Sequence, residues 1–408
     1  MLKQVALALT AMLVSTGIVV AGDASRLLPA KPKVLDTGPG DLSTAVPTST
    51  GFLVGSLVGP GSGVPGDKTF FLRSFSPKGE PLKPIANAVS ARGPVTVTRL
   101  SGDRFAVIWQ KYTGFIIDSS TRGGIFDLKT NKLTGIRSFG PPSPYGHVAA
   151  RLSNDRIALL TYDYPTERTK VMLTILDDSL NKLSGPTSLN GDGYDSARNE
   201  TADFALVKSG AGGFAIWRNR LSGRLLMRRF SLDGIVDSRT IKIDKTRPSP
   251  PTSPVEFEVK AIELTDRRIL VTWAFQSRPE KDFKYKVWAR LFTPGGEPIG
   301  NDFRVSAVKN LDQYRPEPVA LPDGAFAIGY VSGPIGMSGQ TQHLIRAFRQ
   351  DGTPAAEPIV THTIPHADWT DNDTSLVRLK DGSLLHAFSD DGSIQGYGIP
   401  KRRLVETD

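Results

Sequence analysis

His362 and His366 stand four residues apart, a spacing that on a helix turns two imidazoles toward one metal ion. Here Pro365 lies between them in a strand-rich stretch, and no third ligand follows at a fitting distance, so the pair does not describe a metal centre. His386 sits in an apolar run and reads as a packed or channel-facing residue; His147 and His343 complete the five histidines. Asp371-x-Asp373 supplies the first two acids of a calcium loop, but the remaining ligand spacing does not follow. No cofactor is expected, and calcium is the one cation these acids suggest. There is no Gly-x-Ser-x-Gly elbow and no phosphate loop, the signatures of hydrolase nucleophiles and nucleotide sites. The absence of cysteine excludes thiol catalysis, zinc–thiolate sites and iron–sulfur clusters.

Whatever chemistry exists must be positioned by strands. Gly and Pro supply 70 of the 408 residues, and no long 3.6-residue stripe appears. Instead two modules recur. One is a strand ending in a turn, as in Phe71–Pro81, Leu226–Gly234, Val287–Pro298 and Leu344–Pro354, with weaker copies at Gly124–Leu128 and Leu173–Asp177 and a last one at Ile394–Ile399. The other is a hairpin in which a strand ending in leucine turns into a very apolar strand. It is clearest at Leu100–Trp109 and recurs at Leu152–Leu160, Val207–Trp217, Leu264–Trp273, Leu321–Tyr330 and Leu379–Phe388, with one more near Phe52. Ser-Gly-Asp, Pro-Asp-Gly and Lys-Asp-Gly at the tips are hairpin-turn chemistry.

Taking Phe52, Phe105, Ile157, Phe214, Ile269, Phe326 and Leu384 as equivalent, the steps are 53, 52, 57, 55, 57 and 58 residues. A unit of that size holds four short strands, one propeller blade. Over residues 35–400 the chain resembles the seven-bladed β-propeller repeat proteins, an all-β fold. Neither the WD dipeptide of WD40 repeats nor the Asp-box of sialidases is present; Ser389–Ser393 has the wrong spacing. Two β-sandwiches over 35–220 and 221–400 would be the alternative, but the repeat runs unbroken across that boundary. The segment 245–254 falls inside a repeat and reads as an extended inter-strand loop. The last first-type module, Ile394–Ile399, lacks a following hairpin, and the Phe52 hairpin lacks a preceding module. Joining them gives a composite closing blade made from N- and C-terminal strands, which removes exposed sheet edges.

Propellers gather ligands where loops enter the innermost strands, because those loops converge on the axis. If the leucine-ended strand is innermost, that ring holds Arg92, Tyr145 with His147, Glu200 with Asp203, Glu256 with Glu258, Arg315 with Glu317, and Asp371 with Asp373. Clustered carboxylates there could hold a cation or provide an acid–base pair for glycoside cleavage. The tryptophans Trp109, Trp217 and Trp273 share one strand position, which reads first as core packing.

The start of the chain carries Lys3 and then an uncharged run, Val5–Ala21, with small residues at Val19 and Ala21. This is the pattern of a cleaved signal peptide over 1–21. A flexible mature N-terminus over 22–34 and a tail over 401–408 would flank the propeller. Loss of Lys3 lowers the formal charge from +9 to +8. The densest basic stretch, Arg218, Arg220, Arg224, Arg228 and Arg229, reads as a solvated sheet face, and Lys401–Arg403 is the next. Nucleic acid is therefore not an expected partner, and the mature chain has no membrane-spanning segment. Asn199-Glu200-Thr201 and Asn372-Asp373-Thr374 match the glycosylation pattern, relevant only in a eukaryotic secretory route. The expectation is a secreted or periplasmic binding or scaffold module for a protein or carbohydrate partner. The alternative is a carbohydrate-active enzyme, hydrolase or lyase, using carboxylates at the channel mouth.

Overall fold

The computed structural model describes residues 32–35, 41–59, 68–85, 89–111, 120–139, 146–153, 155–163, 170–190, 204–219, 224–245, 258–276, 284–306, 311–334, 339–367, 373–390 and 393–400. The signal-like segment 1–21, most of the loop 245–254 and the basic tail 401–403 lie outside them, as do Asn199 and Asn372.

Each apolar hairpin becomes the two inner strands of a blade, and the turn-ended module becomes the third. Blade 1 has β2 (Asp41–Pro47), β3 (Phe52–Val58) and β4 (Lys68–Phe75), and its fourth strand is the beginning of β5 (Val89–Arg99). After a register break between Arg92 and Thr96, the same β5 continues as the innermost strand of blade 2. β6 (Arg104–Lys111), β7 (Ser120–Asp127) and β8 (Lys132–Phe139) complete that blade. Blade 3 is β9 (His147–Ser153), β10 (Arg156–Asp163), β11 (Lys170–Leu176) and β12 (Lys182–Ser188). Blade 4 is β13 (Phe204–Lys208), β14 (Gly212–Asn219), β15 (Arg224–Ser231) and β16 (Val236–Lys242). Blade 5 is β17 (Val259–Glu263), β18 (Ile269–Gln276), β19 (Tyr285–Phe292) and β20 (Pro298–Arg304). Blade 6 is β21 (Asp312–Ala320), β22 (Phe326–Gly333), β23 (Gly339–Phe348) and β24 (Ile359–Ala367). Blade 7 is β25 (Thr374–Arg378), β26 (Leu384–Asp390), β27 (Ser393–Ile399) and β1 (Lys33–Leu35). The innermost strands touch in sequence from blade 1 to blade 7, and β25 touches β2, closing the ring.

The closing blade is composite, but its partner differs from the one the modules suggest. Lys33, Val34 and Leu35 pair with Gly396, Gln395 and Ile394, whereas the Phe52 hairpin stays with β4 in blade 1. A three-residue strand is too short to carry a repeat signal. The seam between blades 7 and 1 is stitched by serine hydroxyls: Ser389 Oγ accepts from the Leu42 N–H at 2.8 Å, and Ser375 Oγ from the Ala45 N–H at 3.2 Å. Ser389→Ala should leave the Leu42 N–H buried without that acceptor and cost about 1–3 kcal/mol. Urea unfolding checks this; an unchanged midpoint would contradict it.

Apolar cores lie between blades, as where Phe214 and Ile216 of blade 4 meet Trp273 and Phe275 of blade 5. Trp109, Trp217 and Trp273 are all buried, as their shared position predicts. The strand pairing also corrects the repeat alignment. Phe52, Phe105, Ile157, Ile269, Phe326 and Leu384 each face the last apolar residue of the third strand, but in blade 4 the residue in that place is Gly213, opposite Phe230. A Cβ on Gly213 would stand 2.8 Å from the Phe230 ring, so that ring occupies the space of the missing side chain.

The arginine two residues before the module's aromatic recurs as Arg73, Arg228, Arg290 and Arg346. Arg290 donates to the Ile243 carbonyl of blade 4 at 2.7 Å, and Arg346 to the Val305 carbonyl of blade 5 at 2.9 Å. These two are buried inter-blade struts. The basic stretch is likewise not uniformly solvated: Arg218 is buried, Arg224 lies 3.3 Å from Asp244, and Arg228 packs over Trp217, while Arg229 is exposed. Arg220 lies outside the described residues.

Candidate functional site

The residues that open the innermost strands converge where blades 5, 6 and 7 meet the axis. β21 carries a bulge between Tyr314 and Glu317, and within it Arg315 adopts a left-handed φ of 53°. Non-glycine residues avoid that region at a cost of about 1–2 kcal/mol, so the surrounding contacts must hold it. They do so by charge. The Arg315 guanidinium meets the Asp373 carboxylate of blade 7, and its Nε lies 3.7 Å from Glu258 Oε1 at the start of blade 5. Two residues along, Lys260 Nζ lies 2.9 Å from Glu317 Oε1, joining blades 5 and 6 again. The negative charge of Glu317 raises the Lys260 pKa above the usual lysine value, against the opposing effect of burial. The Lys260 side chain is nevertheless 46 % accessible.

Beside this network, Asp312 accepts from the Tyr285 N–H at 2.8 Å and lies 3.3 Å from Lys284 Nζ. Lys286, fully buried, donates to the Leu311 carbonyl at 2.8 Å. Burial pushes the phenols of Tyr285 and Tyr314 up to about 12, which removes both as bases near neutral pH.

Of the ring expected from the sequence, Glu258, Arg315, Glu317 and Asp373 are thus brought together. His147 is placed differently. It is 3 % exposed, and its Nε2–H donates to the Ile108 carbonyl of blade 2 at 2.8 Å, so it braces two blades. Arg92 pairs with Gln110 in the β5–β6 ladder, its side chain outside the description. Tyr145, Glu200, Asp203, Glu256 and Asp371 lie outside the described residues. Lys260 was not among the expected residues, although its alternation with Glu258 on one strand was a usable signal.

Three histidines gather at a second place, between blades 6 and 7. His386 lies between the Thr361 and Thr374 hydroxyls, at 2.8 and 2.6 Å, and His362 Nε2 is 2.8 Å from Asp390. His343 and His362 both stack on Phe388. His386 is core, in line with its apolar strand. The side chain of His366 is outside the description. Among the described residues no group of three or more His, Cys, Asp or Glu is arranged to hold a metal ion, and no helix is long and apolar enough to cross a membrane.

No family model matches the chain, and no curated protein matches it. Solved structures do. A fungal alcohol oxidase of the AA5 family, in complex with copper, aligns at a TM-score of 0.54 with 13 % identity, covering 90 % of this chain and 75 % of that one. The Dos1 propeller aligns at 0.50 with 12 % identity over 91 % and 96 %. An α-L-arabinofuranosidase from Fusarium graminearum, in complex with an iminosugar inhibitor, aligns at 0.50 with 10 % identity over 76 % and 93 %. At such identities the likeness is one of architecture alone, and together with the ring of blades it makes this chain a seven-bladed β-propeller.

Proposed function

We propose that this chain is an exported propeller that binds a polar partner, carbohydrate or protein, at the mouth where blades 5 to 7 meet. The observation that carries this reading is Arg315, held in a left-handed conformation so that one guanidinium reaches carboxylates from two other blades. Strained residues of this kind persist where the surroundings over-determine them, and they concentrate at ligand sites. Preformed arrays of fixed donors and acceptors recognise polar partners with little reordering. Lys260 and Glu317 extend the array between blades 5 and 6.

Glycoside cleavage is the second reading, favoured by the shared fold with the Fusarium arabinofuranosidase. It requires one carboxyl that keeps its proton and a second ionised one roughly 5–9.5 Å away. The mouth carboxylates are instead engaged in ion pairs with Arg315 or Lys260 that join the blades. That balance places binding first.

Glycan-array and pull-down measurements on wild type, Lys260→Met and Arg315→Gln test both. Each variant should bind about tenfold more weakly, the effect of one charge-assisted hydrogen bond of about 1.4 kcal/mol, while remaining folded by circular dichroism. Undiminished binding in both variants would overturn the reading. Reducing sugar released from a polysaccharide panel, and lost in Glu258→Gln, would put cleavage in its place.

A further inference from the structure

The opposite face of the ring carries a different charge pattern. In every blade the innermost strand pairs one residue with the first apolar position of the next strand, and that residue stands just before the hairpin turn. From blade 1 to blade 7 it is Pro47, Arg99, Arg151, Lys208, Glu263, Ala320 and Arg378. The four cations fall in one arc, blades 7, 2, 3 and 4, interrupted only by Pro47. The single acid, Glu263, lies outside the arc and 3.9 Å from Arg267.

Within that arc, Arg99 and Arg151 of adjacent blades line one shallow cavity of about 530 Å³, wide open to solvent, together with Leu100, Ser101 and Gly102. The cavity walls are fixed relative to each other. Arg151 Nη1 donates across the blades to the Leu100 carbonyl at 2.9 Å, and its Nε donates to the Ser153 carbonyl at 2.9 Å. Thr98 Oγ1 donates to the Ala149 carbonyl at 3.0 Å. These carbonyls orient the Arg151 guanidinium at the cavity edge. Arg99 lies 3.2 Å from Asp103, whose carboxylate is shared with the N–H and hydroxyl of Ser49. Ser101 Oγ accepts from Arg104, itself paired with Asp178, so the hydroxyl proton of Ser101 can be given to a further acceptor. At Gly102 a Cβ would meet nothing within 4 Å, which leaves the turn open toward the cavity.

We propose that this cavity between blades 2 and 3 binds a tetrahedral oxyanion, phosphate or sulfate, free or pendant on a larger molecule. Arg99 and Arg151 supply the guanidinium donors and Ser101 the hydroxyl. Guanidinium groups match the oxygens of such anions through paired N–H donors, and here the two arginines come from separate blades. The site is on the hairpin face, away from Arg315 and Lys260, and stands or falls independently of the binding proposed there.

Calorimetric titration at low ionic strength with inorganic phosphate, inorganic sulfate, glucose 6-phosphate and, as the uncharged comparison, glucose tests this. Saturable binding of the anions and none of glucose is expected. Arg99→Gln and Arg151→Gln should each weaken anion binding at least tenfold, whereas Arg378→Gln, which removes the same charge from the same face outside the cavity, should leave it unchanged. Arg151→Lys, which keeps the charge and loses the paired donors, serves if Arg151→Gln fails to fold. Tighter binding of glucose 6-phosphate than of phosphate would identify a pendant group, and equal binding a free ion, both in support. No saturable binding by wild type, or an equal loss in Arg378→Gln, would overturn the proposal.

Discussion

Between pH 6.5 and about pH 4 the ring should lose stability at roughly 3 kcal/mol per pH unit, because two imidazoles are buried neutral. Burial lowers the pKa of His147 to about 4 and that of His386 to about 3, from an ordinary value near 6.5. The unfolded chain takes up both protons as pH falls through 6.5, while the folded chain does not. Stability is therefore fully present above pH 6.5 and declines below it, by about 1.4 kcal/mol per pH unit for each histidine, until the folded groups themselves protonate. Both positions are braces: His147 joins blades 2 and 3, and His386 sits between threonines of blades 6 and 7. Carboxylates held below their usual range by hydrogen bonds, Asp177 and Asp266 among them, contribute the same sign of dependence but only in more acid solution, below about pH 4. Burial pushes the Asp244 carboxyl up, a contribution of opposite sign, so the fall above pH 4.5 is that of the histidines less its share. Urea unfolding at pH 7.5, 6.5, 5.5 and 4.5 should show the slope, and His147→Gln or His386→Gln should each remove about half of it. A flat wild-type profile over that range would contradict the burial of these rings as neutral groups.

Gly212→Ala should be among the most damaging single-methyl changes in the chain, at about 3 kcal/mol or more. A Cβ there would lie 2.0 Å from the Phe230 carbonyl oxygen, and Gly51, at the same place in blade 1, meets the Phe75 carbonyl oxygen at 2.0 Å. Main-chain oxygens held in a sheet ladder cannot step aside as a side chain can, so the strand itself must shift; overpacking that moves backbone costs roughly 1–3 kcal/mol or more. Other blades carry Arg104, Arg156, Arg268, Ala325 and Ser383 at this position, so the close approach is a choice made where glycine permits it. Gly102→Ala is the fitting comparison: its Cβ would meet nothing within 4 Å, and only the φ of +66° opposes it, worth about 1–2 kcal/mol. Thermal melts of Gly212→Ala, Gly51→Ala and Gly102→Ala should rank in that sense. A Gly212→Ala protein as stable as wild type would show that the approach of β14 and β15 is looser than described.

The repeat was legible because each blade must bury the same two strands, and burial writes itself as apolar runs at a fixed interval. It misled by one residue in blade 4, where aligning Phe214 with its apolar counterparts ignored that strand position is counted by side-chain parity. Trp109, Trp217 and Trp273 hold the true parity, four residues beyond Phe105, Gly213 and Ile269. The mouth was legible in outline: Glu258, Arg315, Glu317 and Asp373 meet because loops of a closed ring converge. Lys260 was legible only through its two-residue spacing from Glu258, since one lysine on a short strand has no other local mark. His147 misread for the converse reason: a polar residue beside a loop looks accessible until the neighbouring blade is placed over it.

The three-residue pairing of β1 with β27 bears on how the ring responds to force. Because β1 is the outermost strand of its blade and runs antiparallel to β27, tension on the chain ahead of Lys33 loads its few main-chain bonds one after another. At the other side of the seam, β5 continues from blade 1 into blade 2 within a single strand, so those two blades share load as one sheet. The molecule is mechanically unequal around its circumference, with a fastening that peels in blade 7 and a continuous weld in the next two blades.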